Sequence, residues 1–211
     1  MKYKAVIFDL DGVILSTDNY HYEAWKALAD KLGIYFDETI NNRLRGVSRM
    51  ESLEIILEKY NGRLTDAEKL KYANEKNELY KSLLKNMAPS AVSKEVKDTM
   101  DSLRAGGILL AIGSSSKNAK FILKQVGLND YFDSISDGED ITNSKPHPEV
   151  FQKAAQFLGV GAEVCLVVED AVSGVEAAKA AGMDSAAIGD AAKFNLANYN
   201  LKNFSELLEI C

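Results

Sequence analysis

The sequence predicts an α/β protein with a parallel sheet and an all-helical insertion. A buried apolar strand, 5–8, stands almost at the start of the chain. No strand pattern appears from Asp18 to about Met87, where amphipathic helices follow one another. From Ser93 onward, short apolar runs alternate with helical segments, which is typical of βαβ units. These three observations together favour one α/β domain interrupted by a helical one.

Composition narrows the classes of function before any motif is considered. The chain has 211 residues, is 46% hydrophobic and carries a formal net charge of -6. That length accommodates one large domain or two smaller ones. The acidic balance and the lack of a basic block argue against a nucleic-acid partner. No apolar run is long enough to cross a membrane and no signal peptide is apparent, so we expect a cytoplasmic location. The two cysteines suggest neither a disulfide framework nor a zinc site.

The first strand leads directly into acidic residues. The run Ala-Val-Ile-Phe is followed by Asp9, Leu10, Asp11 and Gly12. A buried strand of a parallel sheet delivers such carboxylates to the carboxyl edge, where open α/β folds bind ligands. Two carboxylates one residue apart can share a reactive phosphorus, one attacking it and the other managing a proton. The alternative is a strand end followed by an ordinary Asp-Gly turn.

The segment 17–88 is predicted to be a helical cap domain. A first helix should run from about Asn19 to Leu32 and end at Gly33. Capping boxes at Ser48 and Thr65 open two further helices. Pro89 marks the exit from the insertion, which leaves 1–16 and 89–211 as the α/β catalytic core.

The rest of the chain supplies the remaining strands and helices of the core. Apolar runs predict strands at 108–112, near 134–135, at 164–168 and at 185–188. Helices should lie between them, including one that starts with Pro148 and ends at Gly159. The fold class is therefore α/β, with a Rossmann-like parallel-sheet core and an inserted α-helical cap.

Polar side chains follow three of these strands. Asp9 and Asp11, then Ser114, then Glu169 and Asp170, are expected along one edge of the sheet, and Lys145 enters the same edge from a Pro-rich loop. The set suits phosphoryl transfer. A divalent cation held by Asp9 and Asp170 would offset the repulsion between a carboxylate and a phosphate. Ser114 and nearby amides can donate to the transferring oxygens, and Lys145 supplies a charge.

Each member also has a purely structural interpretation. Ser114, Ser115 and Ser116 could cap the next helix. Lys145 could be a solvated surface lysine, and Glu169 with Asp170 could be a strand end and a helix cap. The occurrence of all the pieces in this order is more specific than any one of them.

The order D-x-D-G, strand-Ser, Lys-Pro and apolar strand-Glu-Asp resembles the haloacid dehalogenase superfamily of phosphotransferases. The insertion resembles the caps of sugar-phosphate mutases in that superfamily, at 20–25, 45–49 and 75–77. The resemblance implies that Asp9 is phosphorylated and that Asp11 is the general acid/base. It implies Mg²⁺ held at Asp9, Asp11, Glu169 and Asp170.

The same resemblance implies where phosphate and sugar bind. The phosphate group that is transferred would contact Ser114, Ser115, Ser116, Asn118 and Lys145. Arg49 would hold the second phosphate. The rest of the cap site and its hinge would comprise Thr17, His21, Trp25, Arg45, Gly46, Val47, Ser52 and Lys76.

The activity implied is isomerisation of β-D-glucose 1-phosphate and glucose 6-phosphate through an aspartyl-phosphate and a bisphosphate intermediate. The expected partner is a small-molecule sugar phosphate, with no nucleic acid and no membrane, and the protein is expected to be a monomer. Two alternatives stay open. One is a sugar-phosphate phosphatase of the same superfamily, in which water attacks the aspartyl-phosphate. The other is a non-catalytic sugar-phosphate sensor, which needs neither Asp9 as nucleophile nor Asp11 as its proton partner.

Overall fold

A parallel sheet forms the centre of the α/β part of the chain. The computed structural model describes residues 2–44 and 47–211. Within these ranges six strands form one sheet in the order β3-β2-β1-β4-β5-β6, with every neighbouring pair parallel. The strands are β1 (Ala5–Phe8), β2 (Leu109–Gly113), β3 (Ser134–Ser136), β4 (Cys165–Glu169), β5 (Asp184–Ala187) and β6 (Tyr199–Asn200). The predicted fold class is confirmed.

The strand order explains why the first strand organises the site. β1 is entirely buried and lies between β2 and β4, with Ala5 in register with both Leu109 and Cys165. The chain continues outward from β1 through β2 and β3 on one side, and through β4, β5 and β6 on the other. Such a reversal of strand order opens a crevice at the carboxyl ends of the strands. Asp9 follows β1 at this point, and Glu169 ends β4 beside it.

Helices complete both parts of the chain. In chain order they are α1 (Asp18–Lys31), α2 (Glu38–Asn42), α3 (Arg49–Leu57), α4 (Asp66–Leu84), α5 (Lys94–Ala105), α6 (Ala119–Gln125), α7 (Glu149–Leu158), α8 (Val172–Ala180) and α9 (Leu207–Ile210). Both predicted capping boxes are present. The hydroxyl groups of Ser48 and Thr65 accept hydrogen bonds from the backbone amides of Glu51 and Glu68, and the carboxylates of these glutamates accept from the backbone amides of Ser48 and Thr65. In the described ranges no helix combines the length and the apolar character needed to cross a membrane.

The chain divides into two compact units. The α/β unit comprises the chain up to Ser16 together with Ala88–Cys211, and the helical unit is Thr17–Met87. Each has its own core: Ile7, Val167 and Phe151 are among the buried side chains of the first, and Trp25 and Leu53 among those of the second. Full burial of a large apolar side chain contributes about 1.5–3 kcal/mol, so both units hold substantial cores.

Several predicted boundaries were wrong, each for a local reason. The strand predicted at 164–168 is observed at Cys165–Glu169. It begins one residue later than predicted because 162–164 forms a 3-10 turn. Its last residue is Glu169. Pro148 is the N-cap of α7 and not its first residue. The strand at 184–187 is not the last one, since β6 follows. Neither β6, with two residues, nor α2, with five, is long enough to show a sequence period.

Candidate active site

A buried lysine joins the ends of two neighbouring strands. Lys145 Nζ donates to Asp9 Oδ1 at 2.5 Å and to Glu169 Oε1 at 2.6 Å. Asp9, Lys145 and Glu169 are all buried. The three are far apart in sequence and meet only because β1 and β4 are adjacent in the sheet. The structure thus brings together the predicted nucleophile, the predicted phosphate-binding lysine and one predicted metal ligand.

The charges of this triad depend on one another. Burial opposes the ammonium form of Lys145, but the carboxylates of Asp9 and Glu169 outweigh it and hold the lysine pKa above its ordinary value. Burial likewise raises the pKa of Glu169, while Lys145 works against that shift. Buried ionised groups are stable only when paired in this way. Lys145 is therefore a fixed cation beside the oxygen that would attack phosphorus.

Asp170 lies among like charges. Burial raises the pKa of Asp170 to about 8, and the charge of Asp9 is the next cause. The carboxylates of Glu169 and Asp11 raise it further, and Lys145 only partly compensates. A site where one ammonium faces several carboxylates has unmet affinity for a cation, and hard carboxylate oxygens suit Mg²⁺.

Two glycines make room for these carboxylates. At Gly12, whose φ is +95°, a Cβ atom would lie 2.1 Å from Asp170 Oδ2. At Gly174, a Cβ atom would lie 1.9 Å from Glu169 Oε1. Any side chain at either position would displace a predicted metal ligand. Gly174 was not among the residues predicted from the sequence, although glycine inside a helix costs about 1 kcal/mol relative to alanine and so indicates a packing requirement.

These observations test whether the donor set fits a magnesium ion. Asp9, Glu169 and Asp11 are close enough to Asp170 to raise its pKa, and Gly12 and Gly174 make room for the carboxylates of Asp170 and Glu169. Among the residues described, no group of three or more acidic, histidine or cysteine side chains is already arranged around a metal position. Lys145 Nζ binds two of the four carboxylates instead. The four carboxylates therefore fit a magnesium ion, because they supply hard oxygen ligands and negative charge.

The serine loop follows β2. Ser114 is buried, its amide donates to Ser136 O at 3.0 Å, and its hydroxyl accepts from the amide of Ser116 at 3.2 Å. The hydroxyl of Ser116 accepts from the amide of Asn118, which is the N-cap of α6. Ser114 therefore does not cap the next helix, which was the structural interpretation.

Ser115 connects the serine loop to the lysine. Its hydroxyl accepts from the backbone amide of Lys145 at 3.4 Å. Gly138 allows the approach of the two loops, since a Cβ atom there would lie 2.5 Å from Ser115 O. No role for Gly138 was predicted from the sequence. The predicted phosphate-binding residues of the core thus share one edge of the sheet.

The helical unit holds a second buried lysine. Lys76 Nζ donates to His21 Nδ1 at 2.8 Å and lies 4.5 Å from the centre of the Trp25 ring and 4.6 Å from that of Tyr80. The His21 ring stacks on Tyr80 with centroids 4.1 Å apart. Burial lowers the pKa of His21 well below its ordinary value, and the charges of Lys76 and then Arg49 lower it further. His21 is therefore neutral and accepts through Nδ1.

Three predicted cap residues, His21, Trp25 and Lys76, thus form one cluster with Tyr80. Tyr80 was not among the predicted residues, although its spacing of four from Lys76 on α4 places both on one helix face. Thr17 is buried at the N-cap of α1, Ser52 is buried on α3 and Val47 is exposed. Arg45 and Gly46 lie outside the described residues.

Several known proteins resemble this chain over most of its length. The model of the haloacid dehalogenase-like hydrolase family matches residues 3–182. The β-phosphoglucomutase of Bacillus subtilis is 40% identical over 189 residues, 88% of this chain and 83% of that protein. A phosphorylated carbohydrates phosphatase of Thermotoga maritima is 32% identical over 185 residues, 86% of this chain and 82% of that protein. The crystal structure of β-phosphoglucomutase from Clostridium difficile superposes with a TM-score of 0.90 at 38% identity, covering 97% of this chain and 93% of that one.

Proposed function

Because the chain belongs to the haloacid dehalogenase-like hydrolase family, we propose that it is a β-phosphoglucomutase that interconverts β-D-glucose 1-phosphate and glucose 6-phosphate. The observation that carries the phosphoryl-transfer part is the pairing of Lys145 with Asp9 and Glu169 at the ends of β1 and β4. The choice of a mutase is supported by 40% identity to one such enzyme and by the cap residues.

Asp9 is the proposed nucleophile. Its carboxylate oxygen attacks phosphorus, an oxygen–phosphorus bond of the donor breaks, and Asp11 gives a proton to the leaving sugar oxygen. In the second half, Asp11 takes the proton of the accepting sugar hydroxyl, which attacks the aspartyl-phosphate and frees Asp9. Lys145 keeps its charge throughout and faces the oxygens of the transferring group.

Mg²⁺ is the proposed cofactor. Asp9, Asp11, Glu169 and Asp170 would hold it. When bound, it would offset the charge repulsion between the nucleophile and the phosphate. The crowding of carboxylates around Asp170 supports a cation there.

A mutase needs a second phosphate site, because its bisphosphate intermediate carries two phosphates. We assign that site to Arg49, whose planar fork of donors matches a phosphate. The positive charge of Arg49 lowers the pKa of His21, which supports a role for Arg49 near the cluster of His21, Trp25, Lys76 and Tyr80 in the helical unit. Lys76 would then contribute a donor to the sugar.

The second candidate is a sugar-phosphate phosphatase. The observation in its favour is the 32% identity to a phosphatase that acts on phosphorylated carbohydrates. A phosphatase shares Asp9, Asp11 and the metal ligands but passes the phosphoryl group to water. The sensor alternative predicts no turnover at all.

Phosphorus NMR separates the three candidates. With Mg²⁺ and a trace of glucose 1,6-bisphosphate, we expect β-glucose 1-phosphate to become glucose 6-phosphate. Free phosphate as the main product would favour the phosphatase, and an unchanged spectrum would favour the sensor.

Two rates measured on Arg49→Ala then test the cap. Mutase turnover should fall about tenfold or more for each charge-assisted bond lost. Aspartyl-phosphate formation from acetyl phosphate, which carries no sugar, should persist. Arg43→Ala, which removes a cap arginine ion-paired with Glu58, is the matched control. Intact mutase turnover in Arg49→Ala would contradict the assignment.

A further inference from the structure

The ammonium of Lys145 has a third partner besides its two carboxylates. Its Nζ lies 4.7 Å from the centre of the Phe151 ring. Phe151 is completely buried on the first turn of α7, where its amide donates to Pro148 O at 3.1 Å. An aromatic face attracts a cation through its quadrupole, most strongly where water is excluded. The lysine is therefore held by two anions and one ring.

A glycine at the end of β2 makes room for the Phe151 ring. A Cβ atom at Gly113 would lie 2.7 Å from Phe151 Cδ1 and 2.9 Å from Cε1. Gly113 is the last residue of β2, directly before Ser114. The absence of a side chain at Gly113 allows the ring to lie against the sheet below the catalytic edge. Gly113 and Phe151 thus form a shape-matched pair beneath Lys145.

This arrangement has a consequence for the lysine. A lysine side chain is a flexible chain of four carbons and loses rotamer entropy when its ammonium is held in one place. The ring face restricts the ammonium on one side, while two of its N–H donors are directed at the carboxylate oxygens of Asp9 and Glu169.

We propose that Phe151 is a positioning residue for phosphoryl transfer to Asp9, and that its ring face, seated on Gly113, fixes where the Lys145 ammonium lies. This inference rests on the proposed phosphoryl transfer at Asp9, but not on the choice between mutase and phosphatase. The competing interpretation is that Phe151 only fills the core.

Fluorinated phenylalanines distinguish these roles. Residue 151 is replaced by 4-fluoro-, 3,5-difluoro- and 3,4,5-trifluorophenylalanine, which withdraw electrons from the ring face with little change in shape. The readout is the rate at which acetyl phosphate phosphorylates Asp9 in the presence of Mg²⁺. In that step the acetyl oxygen–phosphorus bond breaks, the Asp9–phosphorus bond forms and acetate leaves as an anion, so no proton from Asp11 is required.

We expect the rate to fall stepwise with each fluorine, by roughly 2- to 30-fold over the series. The same substitutions at Phe36, a buried ring that packs on Tyr22 in the helical unit, should leave the rate unchanged. A flat series at 151 would overturn the proposal, because a ring that only fills space keeps its volume in every variant.

Phe151→Leu provides a readout that does not depend on activity. Its crystal structure should show the Lys145 ammonium displaced from at least one of its two carboxylates. Retention of both contacts within about 3.2 Å would overturn the proposal. If the wild-type protein forms no aspartyl-phosphate, the proposed function fails, and this structure still decides whether Phe151 positions the lysine.

Discussion

Two lysines are buried in the part of the chain that the structure describes, and they are stabilised in different ways. Lys145, in the α/β unit, is paired with the carboxylates of Asp9 and Glu169. Lys76, in the helical unit, contacts two aromatic faces and the neutral imidazole of His21. The first lysine belongs to a network of opposite charges that exists before any substrate binds. Around the second, the rings of Trp25 and Tyr80 and the imidazole of His21 polarise in the field of the ammonium but carry no formal charge.

The difference matches the two proposed roles. A cation next to a nucleophilic carboxylate must be held in place while charge moves from the donor to Asp9, and strong pairing does this. A cation in a sugar site must bind a ligand that arrives and leaves, and weaker contacts with rings and imidazole permit it. The following predictions test this contrast, from the largest expected effect to the smallest.

The largest effect is expected at Asp9. Asp9→Asn keeps the size of the side chain but removes the nucleophile, so turnover should fall by roughly 10⁴-fold or more. Asp98→Asn, an exposed aspartate on α5 paired with Lys94, is the matched control and should retain full activity. Circular dichroism checks the fold of both variants. A folded Asp9→Asn protein with near-normal turnover would contradict the covalent mechanism.

Removal of the Lys145 charge should affect stability as well as activity. Lys145→Met leaves Asp9 and Glu169 buried without their cation, and breaking a buried pair in this way costs about 3–5 kcal/mol. Adding Glu169→Gln should recover part of that loss, because it removes one of the two unpaired charges. The measurement is the free energy of unfolding in urea for each single variant and the double variant.

Lys117 offers the contrast to Lys145. Its partner Glu139 is 3.6 Å away and both side chains are more than half exposed. An exposed pair contributes only about 0–1 kcal/mol, so Lys117→Met should be close to neutral. Equal losses for Lys117→Met and Lys145→Met, or no recovery in the double variant, would show that the buried triad does not stabilise the fold through its charges.

Gly174→Ala should have a moderate effect on the metal. The added Cβ atom would collide with the Glu169 carboxylate, so the concentration of Mg²⁺ needed for half-maximal phosphorylation should rise about tenfold. Binding of Mn²⁺, followed by electron paramagnetic resonance, should weaken in parallel. Gly106→Ala is the control, because a Cβ there meets nothing closer than 3.2 Å. Unchanged Mn²⁺ affinity in Gly174→Ala would remove the proposed role of this glycine.

The parts of this site that sequence could predict are those that follow from strand ends. Asp9 and Glu169 were predicted together because parallel strands share one carboxyl edge, and the apolar runs before them are unambiguous. The helical insertion was equally clear, since the capping boxes at Ser48 and Thr65 mark helix starts directly. These features are determined by residues that are close together in the sequence, and they can therefore be predicted from it.

The parts that could not be predicted depend on residues that meet only in the folded protein. Nothing near Lys145 in sequence indicates that one amine contacts two carboxylates, because their separations are 136 and 24 residues. Phe151 looks like any core residue of an amphipathic helix, and Gly113 like any strand end. Their roles arise because Gly113, which has no side chain, leaves the space that the Phe151 ring occupies. Tyr80 and Gly174 are intermediate cases, in which a spacing of four or a glycine inside a helix gave a partial signal.

The smallest expected effect is a change in the pKa of His21, in the helical unit. Its pKa is lowered first by burial and then by the positive charges of Lys76 and Arg49. Lys76→Met removes one of those charges, so the pKa of His21 should rise towards its ordinary value. Proton–nitrogen NMR of the imidazole follows this titration. The chain has two histidines, so His147→Gln assigns the signals.

The same substitution should change how stability depends on pH. The folded protein resists protonation of His21, whereas the unfolded chain accepts that proton near the ordinary value of 6.5. Stability due to neutral His21 is therefore complete above that value and is lost as the pH falls below it. Lys76→Met narrows the gap between the two states, so acidification should cost less stability than in the wild type. Lys81→Met, an exposed lysine on the same helix, should leave both readouts unchanged. An unaltered His21 titration in Lys76→Met would mean that burial and the charge of Arg49 set the imidazole pKa, and that the charge of Lys76 does not contribute to it.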